Sequence, residues 1–183
     1  MVQPLSNENE LIAKVLATQC ENAFAQLITH YQQSLRQYCR RLCSNDFSLA
    51  DDVAQNTFIQ VYQKLSMFQG KGKFQGWLFR IAYFEFLQLL RKQKPVDELS
   101  GNEEASDNVS QMTEKRDLEW AVAQLSAVQR ACITLQFNFG YNQEEISAML
   151  DLPVGTVKSH VRRGKEILTQ LLNPSTQNNR GVA

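Results

Sequence analysis

The chain has 183 residues, 43% of them hydrophobic, with 19 Lys plus Arg balanced by 19 Asp plus Glu. That length holds one domain or two small ones with packed cores. No apolar run approaches the ~18 residues of a membrane span and the N-terminus lacks a basic-then-apolar signal pattern, so the protein is expected in the cytoplasm.

Eight glycines, four prolines and almost no strand-like alternation make the expected class all-α. Two histidines and no clustered carboxylates give little from which to build an enzyme site. The neutral total hides an uneven distribution. Residues 1–95 carry 11 basic against 7 acidic side chains, residues 96–116 carry 2 against 6, and residues 117–183 carry 6 against 6. A basic front half suits a polyanionic partner, and the acidic joint suggests a solvated linker. The four cysteines are too scattered for a disulfide framework. Cys39, Cys43 and nearby His30 could be read as a metal or redox site. No second pair completes a ligand set, so small core residues, no metal and no cofactor are expected.

In chain order, residues 8–19 read as a short helix with Leu11, Ile12, Val15 and Leu16 on one side. From Glu21 to Cys43 the apolar set Phe24, Leu27, Ile28, Tyr31, Leu35, Tyr38 and Leu42 alternates at three and four, which predicts a long amphipathic helix. Its other face carries Gln33, Arg36, Gln37, Arg40 and Arg41. Ser48 with Asp51 reads as a variant capping box opening a third helix. The inner face of that helix would be Ala50, Val53, Ala54, Thr57, Phe58, Val61, Tyr62 and Leu65. The outer face holds Asp51, Asp52, Gln55 and Asn56 with Ile59 among them, a polar patch with an apolar centre that could dock on another protein.

Residues 66–76 read as a loop, and the aromatic helix after it starts at Trp77. Leu78, Ala82, Phe86 and Leu89, extended by Phe79, Tyr83 and Leu90, would face inward. Trp77, Arg80, Phe84, Gln88 and Arg91 form the remaining stripe. Basic residues interleaved with rings suit unstacked bases, because cations hold phosphates while rings replace lost stacking at ~1–3 kcal/mol per base. Pro95 ends the helix, and residues 96–113 are too polar and acidic to fold alone, so a flexible linker is expected.

The second domain spans residues 114–172. Leu118, Val122 and Leu125 mark one helix, and Ser126 with Gln129 caps the next, which runs to about Phe137. Gly140 reads as a left-handed cap. Asn142 with Glu145 forms another capping box, opening a helix near Gln143 whose apolar face is Ile146, Met149 and Leu150. Asp151-Leu152-Pro153 breaks it, and Pro153 opens a second helix with Val157, Val161, Gly164 and Leu168 on one side. Thr156, Lys158, Ser159, Arg162 and Arg163 make its basic, hydrogen-bonding face. Two short helices with a three-residue break match the helix-turn-helix, whose second helix enters the major groove. Gly164 costs ~1 kcal/mol against alanine inside a helix, which a close helix contact would justify. The tail, residues 173–183, is expected to be disordered.

Taken together, ADDVAQNTF, FQGWLFRIA, LSAVQRACITLQF and GYNQEEISAMLDLPVGTVKSHVRRGKEIL occur in an order and at distances similar to those of the extracytoplasmic-function (ECF) sigma factors of bacterial RNA polymerase. The resemblance covers nearly the whole chain. It implies two small helical domains, region 2-like over residues 1–95 and region 4-like over residues 114–172, directing core polymerase to promoters without catalysis of their own. It assigns Asp51, Asp52, Gln55, Asn56 and Ile59 to the clamp helices of the largest polymerase subunits. Lys73, Phe74, Trp77, Arg80 and Phe84, with Gln88 and Arg91 continuing the stripe, fall to opening and reading the minus-ten element. Thr156, Lys158, Ser159, Arg162 and Arg163 fall to the minus-thirty-five element. Partners implied are core polymerase with its clamp helices and flap, promoter DNA and an anti-sigma factor, which could hold the chain at the inner membrane. Family members commonly have asparagine where this chain has Phe84, and glutamate where it has Asn56. Phenylalanine stacks on a flipped base but cannot hydrogen-bond it. An alternative role is a sigma-like mimic that sequesters an anti-sigma factor and never touches promoters, for which the basic stripe would be unnecessary.

Overall fold

The computed structural model describes residues 5–70, 72–93 and 114–173. The acidic linker and all but the first residue of the tail lie outside the described residues. Eight α-helices, one 3-10 turn and one π turn make up the described elements, with no strand among them.

The front unit contains α1 (Glu8–Thr18), α2 (Glu21–Leu42), α3 (Phe47–Lys64) and α4 (Phe74–Gln93). α2 is its axis, because the three-and-four spacing of Leu27, Tyr31, Leu35, Tyr38 and Leu42 places all five in the core. α1 packs across it through Leu11, Ile12 and Val15, and the Tyr31 hydroxyl donates to the Glu8 carboxylate. Burial and that carboxylate both push the Tyr31 phenol well above its ordinary value.

The start of α3 differs from the Ser48–Asp51 expectation. Asp46 is the N-cap, accepting from the Leu49 amide at 3.0 Å. A carboxylate in that position satisfies one of the exposed first-turn donors, so the helix begins at Phe47. Asp51 instead accepts from the Arg36 guanidinium of α2 at 2.6 Å. Tyr62 also departs from the expected inner face: it is exposed, with its ring edge against Phe24 at 4.9 Å.

α4 starts at Phe74, three residues ahead of the expected Trp77, after a 3-10 turn at Leu65–Met67. The Phe74 ring is the reason. It is buried among Tyr31, Phe68 and Trp77, which anchors the first turn of the helix on the core.

The rear unit contains α5 (Glu114–Ala123), α6 (Ala127–Ile133), α7 (Gln143–Leu150) and α8 (Val154–Leu172). Both expected capping boxes form, at Ser126 with Gln129 and at Asn142 with Glu145. α6 does not continue regularly to Phe137; it widens into a π turn at Thr134–Asn138 before Gly140 turns the chain at φ +69°. Leu118, expected to mark the buried face of α5, is exposed. Asp151 adopts the left-handed conformation that closes α7, and Pro153 sits one position ahead of α8 as its N-cap. Gly164 is buried where α8 crosses α6: a Cβ there would lie 2.9 Å from Ile133 Cγ1.

The two units are not separate bodies on a string. α7 packs on α4 and α6 packs on α2, so one continuous apolar cluster runs from Leu11 to Val161. Its centre is aromatic: the Phe139 ring packs against Phe79 at 4.6 Å and Tyr38 at 6.1 Å.

Candidate nucleic-acid interface

α4 displays the front stripe. Trp77 is half-buried against Phe68 and Phe74, which fixes its ring, whereas Phe84 is 37% exposed with the Arg80 guanidinium 5.1 Å above it. A cation over an aromatic face both stabilises the pair and presents a flat charged surface. Gln88 and Arg91 continue the stripe in the open. Phe74 does not join it. With only 1% of its surface exposed, it is a core residue that orients the helix rather than a ring offered to a base.

Lys73 and Arg80 are engaged by the rear unit. Arg80 donates to the Ala148 and Met149 carbonyls, the latter at 3.3 Å, and lies 4.0 Å from the Asp151 carboxylate. Those carbonyls belong to the last turn of α7, which has no donors of its own to satisfy them and carries the negative end of the helix dipole. Lys73 lies 3.9 Å from Glu145 and over the Tyr141 ring. The Tyr141 hydroxyl donates to Gln75 Oε1 at 3.2 Å, and burial with Glu145 nearby raises its phenol well above the ordinary value.

α8 displays the second stripe. Lys158, Arg162 and Arg163 are exposed, and Thr156 and Ser159 are half-buried beside them. Arg162 pairs with Glu166 one turn on at 2.6 Å, which holds its guanidinium along the helix. Burial and Arg163 together lower the pKa of His160. A groove of about 580 Å³ runs beside the stripe, lined by Gln136, Gln143, Lys158, Arg162 and Lys165 among others. Lys165 is a candidate contact that the sequence reading missed. Its spacing of seven from Lys158 and three from Arg162 already put it on the same face. Gln136 and Gln143 join only because the π turn and the α7 N-terminus fold beside α8, and no local pattern signals that.

The five residues of the polar patch with an apolar centre lie along α3. Asp52, Gln55 and Ile59 are exposed, Asn56 is half-buried, and Asp51 is tied to Arg36. Cys39, Cys43 and Cys132 are buried, and burial raises all three thiols, Cys43 and Cys132 to about 12. They are held as neutral core groups, and among the described residues no cluster of three or more His, Cys, Asp or Glu could hold a metal ion.

Fold and site together define a two-domain, all-α helix-turn-helix protein with one basic stripe on each domain. Residues 27–96 match the model of Sigma-70 region 2, and residues 115–168 match that of Sigma-70 region 4. The ECF RNA polymerase sigma factor SigW of Bacillus subtilis is 30% identical over 169 residues, covering 83% of this chain and 90% of that protein. The ECF RNA polymerase sigma-E factor of Escherichia coli K12 is 28% identical over 172 residues, covering 84% and 88%. Among solved structures, the sigma factor RpoE of Bartonella quintana, crystallised with the anti-sigma factor NepR, is 26% identical, with a TM-score of 0.66 over 81% of this chain and 96% of that one. The chain belongs to the ECF sigma factor family. It is accordingly a sigma factor by family and not an enzyme. Among the described residues no helix is long and apolar enough to cross a membrane.

Proposed function

We propose that this chain directs core RNA polymerase to specific promoters, with α8 reading the minus-thirty-five element and α4 opening and reading the minus-ten element. The observation that carries this reading is the pair of separate stripes: exposed Lys158, Arg162 and Arg163 on one helix, and Trp77, Arg80 and Phe84 on another. The first is polar and cationic, as a duplex groove and its phosphates require. The second alternates cations with rings, as unstacked bases require. Phe84 stands where a hydrogen-bonding side chain is common in the family, so base capture here rests on stacking, with weak discrimination among bases.

The exposed face of α3 is the proposed seat of the polymerase clamp helices, with Ile59 as its apolar centre and Asp52 and Gln55 as its polar rim. Each stripe alone contacts little DNA. Held at fixed separation on polymerase, they act as a bivalent grip whose gain comes from effective concentration. An anti-sigma factor is the proposed negative partner, as a relative of this fold was crystallised with one.

Transcription by core polymerase with and without the chain, on promoters recovered from cells overproducing it, tests the reading. Added initiation is expected, and Lys158→Ala with Arg162→Ala should reduce it by about tenfold or more, each lost charge contact contributing about 1 kcal/mol. Added initiation indifferent to both substitutions would mean that Lys158 and Arg162 do not carry the minus-thirty-five contact, whereas a mimic that only binds an anti-sigma factor would add no initiation at all. No added initiation at any such promoter sinks the promoter reading.

A further inference from the structure

We infer that Glu8 and Tyr31 are positioning residues for Trp77: α1 acts as a strut that sets, through the Tyr31 and Phe74 rings, how the front stripe is presented to unstacked bases. This rests on the proposed reading of α4 as a nucleic-acid face. The strut itself stands on geometry. Glu8, the first residue of α1, accepts a hydrogen bond from the Tyr31 hydroxyl, and the Leu5 backbone hydrogen-bonds to the same group. The Tyr31 ring is buried with its centroid 5.5 Å from that of Phe74. Phe74 meets Phe68 edge to face at 5.3 Å, and both contact the Trp77 ring, at 5.6 and 5.4 Å. An unbroken run of rings therefore joins the start of α1 to the first ring of the stripe.

The loop leading into α4 gives this corner little other support. It passes through Gly70 and Gly72, both at positive φ, and a Cβ added to either would meet nothing within 4 Å. Its anchors are the rings at its two ends, Phe68 and Phe74. α4 begins on Phe74, and the Lys73 carbonyl accepts from the Gly76 and Trp77 amides, so a shift of the Phe74 ring carries the first turn and Trp77 with it. The phenol beneath has a core ring and a polar tip that needs a partner. Glu8 supplies one from a helix whose attachment to α2, through Leu11, Ile12 and Val15, is already made. That attachment is apolar and non-directional, whereas a hydrogen bond weakens steeply off its preferred angle. The Glu8–Tyr31 contact accordingly sets orientation rather than adhesion.

The test compares full-length wild type, Glu8→Gln, Glu8→Ala, Tyr31→Phe and the Glu8→Ala/Tyr31→Phe pair. Glutamine keeps an acceptor oxygen and should behave as wild type. In a Trp120→Phe background Trp77 is the remaining tryptophan, and acrylamide quenching of the free chain reports how firmly its ring is held. Glu8→Ala and Tyr31→Phe should both raise the quenching constant, while Tm falls by no more than about 4 °C, as expected for one lost hydrogen bond. With core polymerase, initiation from a duplex promoter should fall roughly tenfold in both, equivalent to about 1.4 kcal/mol. The same promoter premelted across the minus-ten element should restore wild-type initiation, and the double variant should be no worse than either single one. Equal losses on duplex and premelted templates overturn the positioning role, since damage to the fold or to polymerase binding acts on both alike. Quenching unchanged from wild type overturns the strut. Full initiation from the duplex promoter despite raised quenching overturns the link to strand opening. Failure of the promoter reading shows separately, as a wild type that adds no initiation, because quenching involves neither DNA nor polymerase.

Discussion

At Gly164 two opposing quantities meet. Alanine there would improve helix propensity by about 1 kcal/mol. Its methyl carbon would also sit 2.9 Å from Ile133 Cγ1 and 3.2 Å from Cδ1, and Ile133 is itself buried. A β-branched side chain in a filled site cannot swing aside, and overpacking costs about 1–3 kcal/mol. Overpacking should prevail: Gly164→Ala is expected to lower stability by about 1 kcal/mol and Tm by about 2–4 °C. Thermal unfolding checks this, and in an Ile133→Ala background the same Gly164→Ala change should cost less, or stabilise, if the two side chains are in conflict. A raised Tm for Gly164→Ala alone would show that the α6–α8 crossing has slack. The glycine's cost was visible in the sequence, but its cause was not, because Ile133 lies thirty-one positions away and nothing local pairs them.

Among the elements, α7 has the most duties for its length. It supports α8 as the first helix of the helix-turn-helix, and its last turn accepts from Arg80. Its start depends on Asn142, whose side chain accepts from the Glu145 amide at 2.8 Å while Glu145 accepts from the Asn142 amide at 2.8 Å. Asn142→Ala should therefore cost about 1 kcal/mol. Because α7 couples both units, hydrogen exchange should rise in α4 as well as in α7. Exchange confined to α7 would show that the helix carries no coupling. This capping box and the one at Ser126 were legible because both partners lie within four residues. The Ser48–Asp51 box does not form because Asp46, two residues earlier, reaches the Leu49 amide and Asp51 is drawn to Arg36 on another helix. The same limit explains Phe74. The resemblance assigns it to the minus-ten element, and only the packing of Tyr31 and Phe68 around it makes it core. The α8 stripe was readable almost whole, since a helix face is a local property, and Lys165 extends it by the same spacing.

For the molecule as a whole, the continuous cluster from front to rear matters more than either domain's own core. The described rear unit spans residues 114–173, and a unit of about 60 residues buries only about 60% of the surface its unfolded chain exposes and is marginal alone. At about 0.05–0.15 kcal/mol per residue, its independent stability would be roughly 3–9 kcal/mol. The seam adds Phe139, Tyr141 and Met149 packed against α2 and α4, and each large apolar side chain kept from water contributes about 1.5–3 kcal/mol. The coupling is therefore comparable with the stability of the smaller unit, which is the condition for two units to melt as one. Calorimetry of the free wild-type chain should show a single transition with equal calorimetric and van't Hoff enthalpies. Gly76 of α4 lies against Tyr141 and Met149, where an added Cβ would already be in contact at 3.6 and 3.7 Å, so Gly76→Leu should split the transition in two, with the rear unit melting first because it loses the larger share of its packing. Two transitions in the wild type would mean that the seam is too weak to hold the units together in solution.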